Sequence, residues 1–269
     1  MTAGRTILKF DGGPLTPAHD RVAVESPLEI RVAHGPRSSR QIFPLTVTMR
    51  TPGDDADLVA GFLFAEGLIS SRDQLEGVVP CGTAGDVVRA ELAPAVAIDE
   101  DRFRRAFLTS AACGVCGKLT LAALESQSRF PLAPGSPQFT PAQVVSWPDR
   151  VRAAQPAFDE TGGLHAAALL TPSGEVRAVR EDVGRHNAVD KVIGASLDDL
   201  PLSDRVLVVT GRAGFELVQK AVAAGIPVLA AVGAPSSAAV ELAEAAGLTL
   251  LGFVRDGRFN VYSGTDRLL

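Results

Sequence analysis

Cysteine is scarce in this chain, three residues in 269. Three is too few, and an odd number, for a disulfide framework. In a reducing compartment a close cysteine pair therefore points to catalysis or metal binding rather than to a structural bridge. Aromatic residues are also few, one Trp, one Tyr and 12 Phe, which argues against a base-stacking platform for single-stranded nucleic acid. A basic surplus is absent: 26 Lys and Arg face 31 Asp and Glu, for a formal net charge of -5. No global positive field recommends a nucleic-acid partner, although a few arginines could still hold a phosphate. No apolar run approaches the roughly 20 residues of a membrane-spanning helix. The opening Met1-Thr2-Ala3-Gly4-Arg5-Thr6 lacks the charged-then-apolar layout of a signal peptide. The expectation is a soluble cytoplasmic protein with neither nucleic acid nor membrane as partner.

What is present is an ordinary globular composition, 46% hydrophobic and 21% charged, in a chain long enough for one large domain or two smaller ones. Nothing repeats at solenoid period. The pattern predicts an N-terminal α+β domain over 1–105 and an α/β domain over 106–269. In the first, Arg21 to Val32 holds two short alternating runs broken by Pro27, which suggests a hairpin or an edge position. Gln41 to Met49 reads as a strand, and Val78 to Leu92 has weaker strand character. Asp54 or Asp55 can cap a helix to about Gly67, with Leu58, Val59, Phe62 and Leu63 at helical spacing. A helix is also expected over about Asp99 to Phe107. Phe130 to Pro141 is rich in proline and reads as a loop, either a plain surface connection or a flap.

From Leu164 onward the pattern is cleaner. A strand pair (His165 to Leu170, Val176 to Val179) precedes a helix from Asn187. Apolar strands at Val206, Pro227 and Leu248 then alternate with helices closed by Gly225 and Gly247. Asp256-Gly257 is a tight-turn signal, with an antiparallel return from Phe259 to Tyr262. Repeated β-α-β units of this kind imply a mostly parallel or mixed sheet with helices on its faces.

Three features could carry chemistry. The sharpest is Cys113-Gly114-Val115-Cys116-Gly117-Lys118. At a helix start the i, i+3 spacing would put both sulfurs on one face, and helix-end amides with Lys118 would favour a thiolate. Such a thiolate suits a persulfide carrier. Half of a zinc site and a thioredoxin-like redox pair are the alternatives. Zinc would need two more ligands, and Cys81, His19, His34, His165 and His186 are isolated in the sequence. Zinc deaminase chemistry lacks its His-x-Glu partner and the proline before the first cysteine. The second feature, Arg180-Glu181-Asp182-Val183-Gly184-Arg185-His186-Asn187, lies between a strand and a helix. There Arg185 and His186 would meet anions at a helix N-terminus. Its bland reading is a solvated, self-paired loop. The third is a set of turns, Gly211-Arg212-Ala213-Gly214, Gly233-Ala234-Pro235-Ser236-Ser237 and Arg255-Asp256-Gly257-Arg258. Each is a weak phosphate signal alone, and together they set Arg212, Arg255 and Arg258 on loops.

These motifs, with Ser26-Pro27-Leu28-Glu29-Ile30, Leu58-Val59-Ala60-Gly61-Phe62-Leu63, Phe215-Glu216-Leu217-Val218-Gln219-Lys220 and the closing run Gly252 to Tyr262, resemble the formate dehydrogenase accessory sulfurtransferases, the FdhD/NarQ family. The resemblance implies a persulfide carrier that takes sulfur from a cysteine desulfurase. It would pass that sulfur to the molybdenum cofactor in its bis-guanine-dinucleotide form, Mo-bis(molybdopterin guanine dinucleotide), for formate dehydrogenase. It implies Cys113 as the persulfide residue and cofactor contact by Phe253, Val254, Arg255, Asp256, Gly257 and Arg258; Cys116, read from its spacing, is the second catalytic thiol, able to stabilise or resolve the intermediate. It also implies a cytidine-deaminase-like αβα layering over 106–269 without zinc chemistry, no metal of the protein's own, and a homodimer. The alternative is a chaperone that holds the molybdenum cofactor without moving sulfur.

Overall fold

A computed structural model of the chain describes residues 1–82, 85–98 and 129–269. Cys113, Cys116 and the helix expected over Asp99 to Phe107 lie outside the described residues.

The chain opens with an antiparallel hairpin, β1 (Thr2–Lys9) and β2 (Thr16–Ala23). A four-stranded sheet follows, ordered β4-β3-β6-β5, from β3 (Ser26–His34), β4 (Gln41–Arg50), β5 (Leu75–Cys81) and β6 (Val87–Leu92). The expected hairpin around Pro27 is not formed. β2 and β3 belong to different sheets, and β3 is an interior strand. Proline is tolerated because Pro27 precedes Glu29, the first β3 residue paired with β6, so its missing N–H removes no ladder bond on that side.

Helix α1 (Asp55–Ala65) begins after Asp54, which adopts a left-handed φ of 55° and makes no side-chain cap. Asp55 does not cap either, because both its oxygens accept from the guanidinium of buried Arg50. Leu58, Val59, Ala60, Gly61, Leu63, Phe64 and Ala65 are all buried. A helix apolar on nearly every side belongs between two layers, and α1 lies between the four-stranded sheet and the helices of the second sheet, within one continuous apolar core.

The second sheet is six-stranded, ordered β12-β11-β10-β9-β7-β8. Its strands are β7 (His165–Leu170), β8 (Val176–Asp182), β9 (Val206–Val209), β10 (Val228–Ala231), β11 (Thr249–Arg255) and β12 (Arg258–Ser263). Only β9, β10 and β11 are mutually parallel, while β7 pairs antiparallel with β8 and β9, and β12 returns along β11. The sheet is therefore mixed. The connections that make it so are the short ones, because tight turns after Leu170 and Arg255 permit only antiparallel neighbours.

Alternation along the central strands divides two apolar faces. Leu207, Val209, Leu229 and Ala231 meet α4 (Arg185–Gly194), α5 (Phe215–Ala223) and α6 (Ser237–Ala246). Val206, Val208, Val228 and Ala230 meet Val144, Trp147 and Val151 of α2 (Pro141–Arg152). Thr140 and Gln143 close a capping box at the start of α2, and the short α3 (Pro156–Thr161) follows it. The proline-rich loop before α2 is pinned rather than free. Arg267, 1% exposed, donates to the carbonyls of Ala133 and Ser136 at 2.7 and 2.8 Å.

Helices α1 and α4 approach each other closely. A methyl group on Gly61 would fall 1.9 Å from the Asp190 carbonyl oxygen, and one on Gly194 would fall 1.9 Å from that of Asp57. Two glycines thus let the helices touch backbone to backbone and fix the position of α4, whose first residues are Arg185 and His186.

Candidate functional site

Strands β8, β9, β10 and β11 all end at the same side of the six-stranded sheet, as their registers require. The loops leaving those ends contain the second and third sequence motifs, and backbone bonds lace them together. Gly233 N–H donates to the Gly211 carbonyl at 3.0 Å, Ala213 N–H to Ala234 at 3.2 Å, Ser236 N–H to Ala213 at 3.0 Å, and Phe253 N–H to Gly233 at 3.1 Å. Helices α4, α5 and α6 start from this platform, so their positive ends lie along it. The N-cap residues of α4 and α5 are Gly184 and Gly214, with no side-chain cap, which leaves first-turn amides for an anion.

Within Glu181 to Asn187 the residues divide by role. The Glu181 carboxylate accepts from the Ala157 and Phe158 amides at 3.1 and 2.7 Å, capping α3. Asp182 is fully buried. It accepts from the amides of Thr51 and Gly184, from the Asn187 side chain, and from Lys191 Nζ at 2.8 Å. Asn187 also donates to the Met49 carbonyl at 2.8 Å. These residues shape the loop and bind it to the four-stranded sheet. Their role is structural, yet they are neither solvated nor paired only among themselves.

Arg185 and His186 are half-buried and are left to face the platform. Arg185 Nε is enclosed and has no hydrogen-bond acceptor among the described residues, a costly state unless a ligand completes it. A methyl group on Gly211 would lie 3.4 Å from His165 Nδ1 and 3.5 Å from Arg185 Cδ, so His165, Arg185 and Gly211 meet. His186 Nε2 lies 3.2 Å from a carboxylate oxygen of Glu216 in the first turn of α5. Burial, then the Arg185 charge beside it, pushes the His186 pKa down to about 4, and the same two causes lower that of His165. Both imidazoles are neutral near pH 7. Behind them Lys220 donates to Asp190 at 2.6 Å, a buried pair joining α5 to α4.

Phe253 to Arg258 form the β11–β12 hairpin tip overhanging the platform. Phe253 has φ 53°, next to a register shift between Gly252 and Arg255. A left-handed aromatic residue is strained by about 1–3 kcal/mol, and such strain gathers at functional sites. Arg255 lies with its guanidinium carbon 5.8 Å from the Phe253 ring centre. Arg255, Asp256, Gly257 and Arg258 are exposed, but Val254 is wholly buried in the core beneath α2, so only its backbone could meet a ligand.

The isolation of the histidines in sequence does not survive folding, since His165 and His186 become neighbours across Arg185. Neither His165 nor Glu216 was singled out as a site residue; the signal for both was position, at a strand start and a helix start facing the same loops. Cys81 lies on β5 in the other sheet. No group of His, Cys, Asp and Glu suited to a metal ion occurs among the described residues.

The chain matches the model of the FdhD/NarQ family over residues 23–269. It belongs to that family. A relative from Streptomyces coelicolor named sulfur carrier protein FdhD is 49% identical, covering 100% of this chain and 96% of its own. One of the same name from Mycobacterium tuberculosis is 48% identical over 99% of this chain and 98% of its own. A crystal structure from Desulfotalea psychrophila, described as a formate dehydrogenase accessory protein, aligns over 100% of this chain and 99% of that one, with a TM-score of 0.76 and 24% identity. That likeness supports the fold, a mixed α/β arrangement. The family match takes in both sheets and every motif loop of the platform. Among the described residues no helix is long and apolar enough to cross a membrane.

Proposed function

We propose that the chain is a sulfur carrier serving formate dehydrogenase, with Cys113 bearing the transferred sulfur and the platform of the six-stranded sheet holding the acceptor. The observation that carries the second half is the enclosed, unpartnered Arg185 Nε, set beside uncapped helix starts and the loops of Arg212, Arg255 and Arg258. A phosphate-rich acceptor such as Mo-bis(molybdopterin guanine dinucleotide) suits these donors. A chain of net charge -5 must bind phosphate by local guanidinium and amide donors rather than by a basic surface.

The sulfur chemistry is a persulfide exchange. The Cys113 thiolate attacks the outer sulfur of a cysteine desulfurase persulfide, a new S–S bond forms, and the desulfurase thiolate leaves. Cys116 stands as a second thiol able to stabilise or resolve the loaded state. This makes the protein a sulfurtransferase in the enzymatic sense. The same reading includes the cytoplasm as its compartment, a homodimer, and a cytidine-deaminase-like layering of the second domain. The helices on both faces of the six-stranded sheet agree with that layering.

Incubation with a cysteine desulfurase and cysteine should add a reducible mass of about 32 Da, one sulfur atom, at the Cys113 thiol. Cys113→Ala should lose the adduct and fail to activate a co-expressed formate dehydrogenase. An adduct that persists in Cys113→Ala would sink the assignment. Full activation by the double variant Cys113→Ala/Cys116→Ala would instead favour a chaperone that holds the cofactor without moving sulfur.

A further inference from the structure

Apolar exposure in this protein is confined to two places. Apart from Leu269 at the chain end, every exposed large hydrophobic side chain among the described residues lies on the β1–β2 ribbon or on the four-stranded sheet. Single hydrophobics scattered over a surface are ordinary, whereas a clustered set marks an interaction site.

The register puts the sheet's share on a single face. Leu28, Ile30, Val88 and Ala90 are buried on the side of α1. Val47 pairs with Glu29, Met49 with Pro27, Ile42 with Ala33 and Val79 with Arg89, so these four exposed residues lie on the opposite face. The charges there are already matched, Arg31 with Glu29 at 2.8 Å and Glu91 with both Arg89 and Arg40. Covering this face strands no lone charge.

The ribbon is the other unsupported surface. Its side-chain ties to the rest of the chain are at its base, where Thr2 donates to Glu160 at 2.8 Å and Arg21 pairs with the same carboxylate at 2.9 Å. The pairs from Arg5 with Asp20 to Lys9 with Thr16 carry the turn about 17 Å further, at roughly 3.4 Å per residue. Leu8, Phe10 and Leu15 are exposed at that far end, beside Lys9 and Asp11, which pair with each other. A two-stranded ribbon standing alone is marginal in water, so this one makes physical sense with its end packed on a further apolar surface.

We infer that the chain pairs with a second copy by exchanging arms, the far end of each ribbon covering the open sheet face of the other copy around Val47 and Met49. One chain carries both an apolar projection and an uncovered apolar face, each with its charges matched internally. A twofold axis satisfies both at once, because every contact that one copy makes is returned by the other. An unrelated protein would have to supply a separate counterpart for each. Ribbon and face together offer about 25 residues a side, within the 20–30 of a stable protein interface. This inference rests on the reading of the chain as a homodimer and names the surface that makes it one.

The test is analytical ultracentrifugation of the full chain. Phe10 and Val47 are 67% and 63% exposed, so Phe10→Glu and Val47→Glu should leave the fold of the single copy intact, as circular dichroism can verify. The wild type is expected to be a dimer, and each variant should weaken it at least about 10-fold, as the loss of an interface anchor does. An equal mixture of the two variants should recover dimers, because the intact ribbon of Val47→Glu meets the intact face of Phe10→Glu. A smaller loss in either variant, or a mixture no more dimeric than its components, overturns the arm exchange and leaves dimerisation to another surface. A wild type that stays monomeric at tens of micromolar overturns the homodimer reading and the arm exchange with it.

Discussion

Replacing Gly61 by alanine tests whether α4 is positioned by its backbone contact with α1. The new methyl would lie 1.9 Å from the Asp190 carbonyl oxygen and 2.6 Å from its carbon, where ordinary contact begins at 3.4 Å. Both obstacles are main-chain atoms, so no side chain can swing aside and the helices must part by about 1.5 Å. Overpacking of this kind costs about 1–3 kcal/mol and sometimes more. Here the displaced helix also carries Lys191 and Asp190, which hold buried ion pairs with Asp182 and Lys220. The better helix propensity of alanine returns about 1 kcal/mol. A net loss of about 2 kcal/mol is expected, at the upper end of that range because of those pairs, or roughly 4–8 °C in melting temperature for a chain of this size. The assay is thermal unfolding followed by far-ultraviolet circular dichroism. Gly13→Ala is the control, because nothing lies within 4 Å of its added methyl. Gly61→Ala melting within 1 °C of wild type would refute the backbone-contact argument.

Lys191→Met should cost about 3–5 kcal/mol in urea unfolding, because it leaves the fully buried Asp182 carboxylate without its cation. A cost below about 1 kcal/mol would show that the amides around Asp182 suffice. The folded-state pKa of His186, about 4, lies below its ordinary value of 6.5, so the unfolded chain binds the proton more readily. Stability from this residue is complete above pH 6.5 and is lost as pH falls toward 4. His186→Gln should flatten the decline between those pH values, leaving a smaller one of the same sign from His165. An identical pH profile in the variant would remove His186 from the account.

Strong local turn and cap signals coincide with the ends of the elements they mark. Ser236 caps α6 and Gly247 ends it with φ 68°, and Asp256-Gly257 makes the tight turn between β11 and β12. The glycine loops of the platform follow the turn signals of the sequence. Weaker signals are met only in part: Pro27 forms no hairpin and lies in an interior strand, ahead of the first residue paired with β6, and Asp54 takes the N-cap position without a side-chain cap while Asp55 pairs with Arg50. For Pro27 a strand distant in sequence decided the outcome, and for Asp55 it was the guanidinium of nearby Arg50.

The sequence by itself determined the succession of β-α-β units from Leu164 onward, the ends of the helices closed by Gly225 and Gly247, the family and the cysteine pair, because turn chemistry, hydrophobic period and motif order are written in neighbouring residues. Only the tertiary structure decided which residues of the Glu181 to Asn187 loop are satisfied within the fold and which are left without a partner. Glu181, Asp182 and Asn187 find amides and a lysine to satisfy them, and Arg185 does not. Tertiary structure alone set His165 beside Arg185 and placed Glu216 on His186. Periodicity reports that a side chain is buried. Which group it meets there depends on how the layers stack, and that is fixed by contacts such as Gly61 on Asp190, made between residues far apart in the chain.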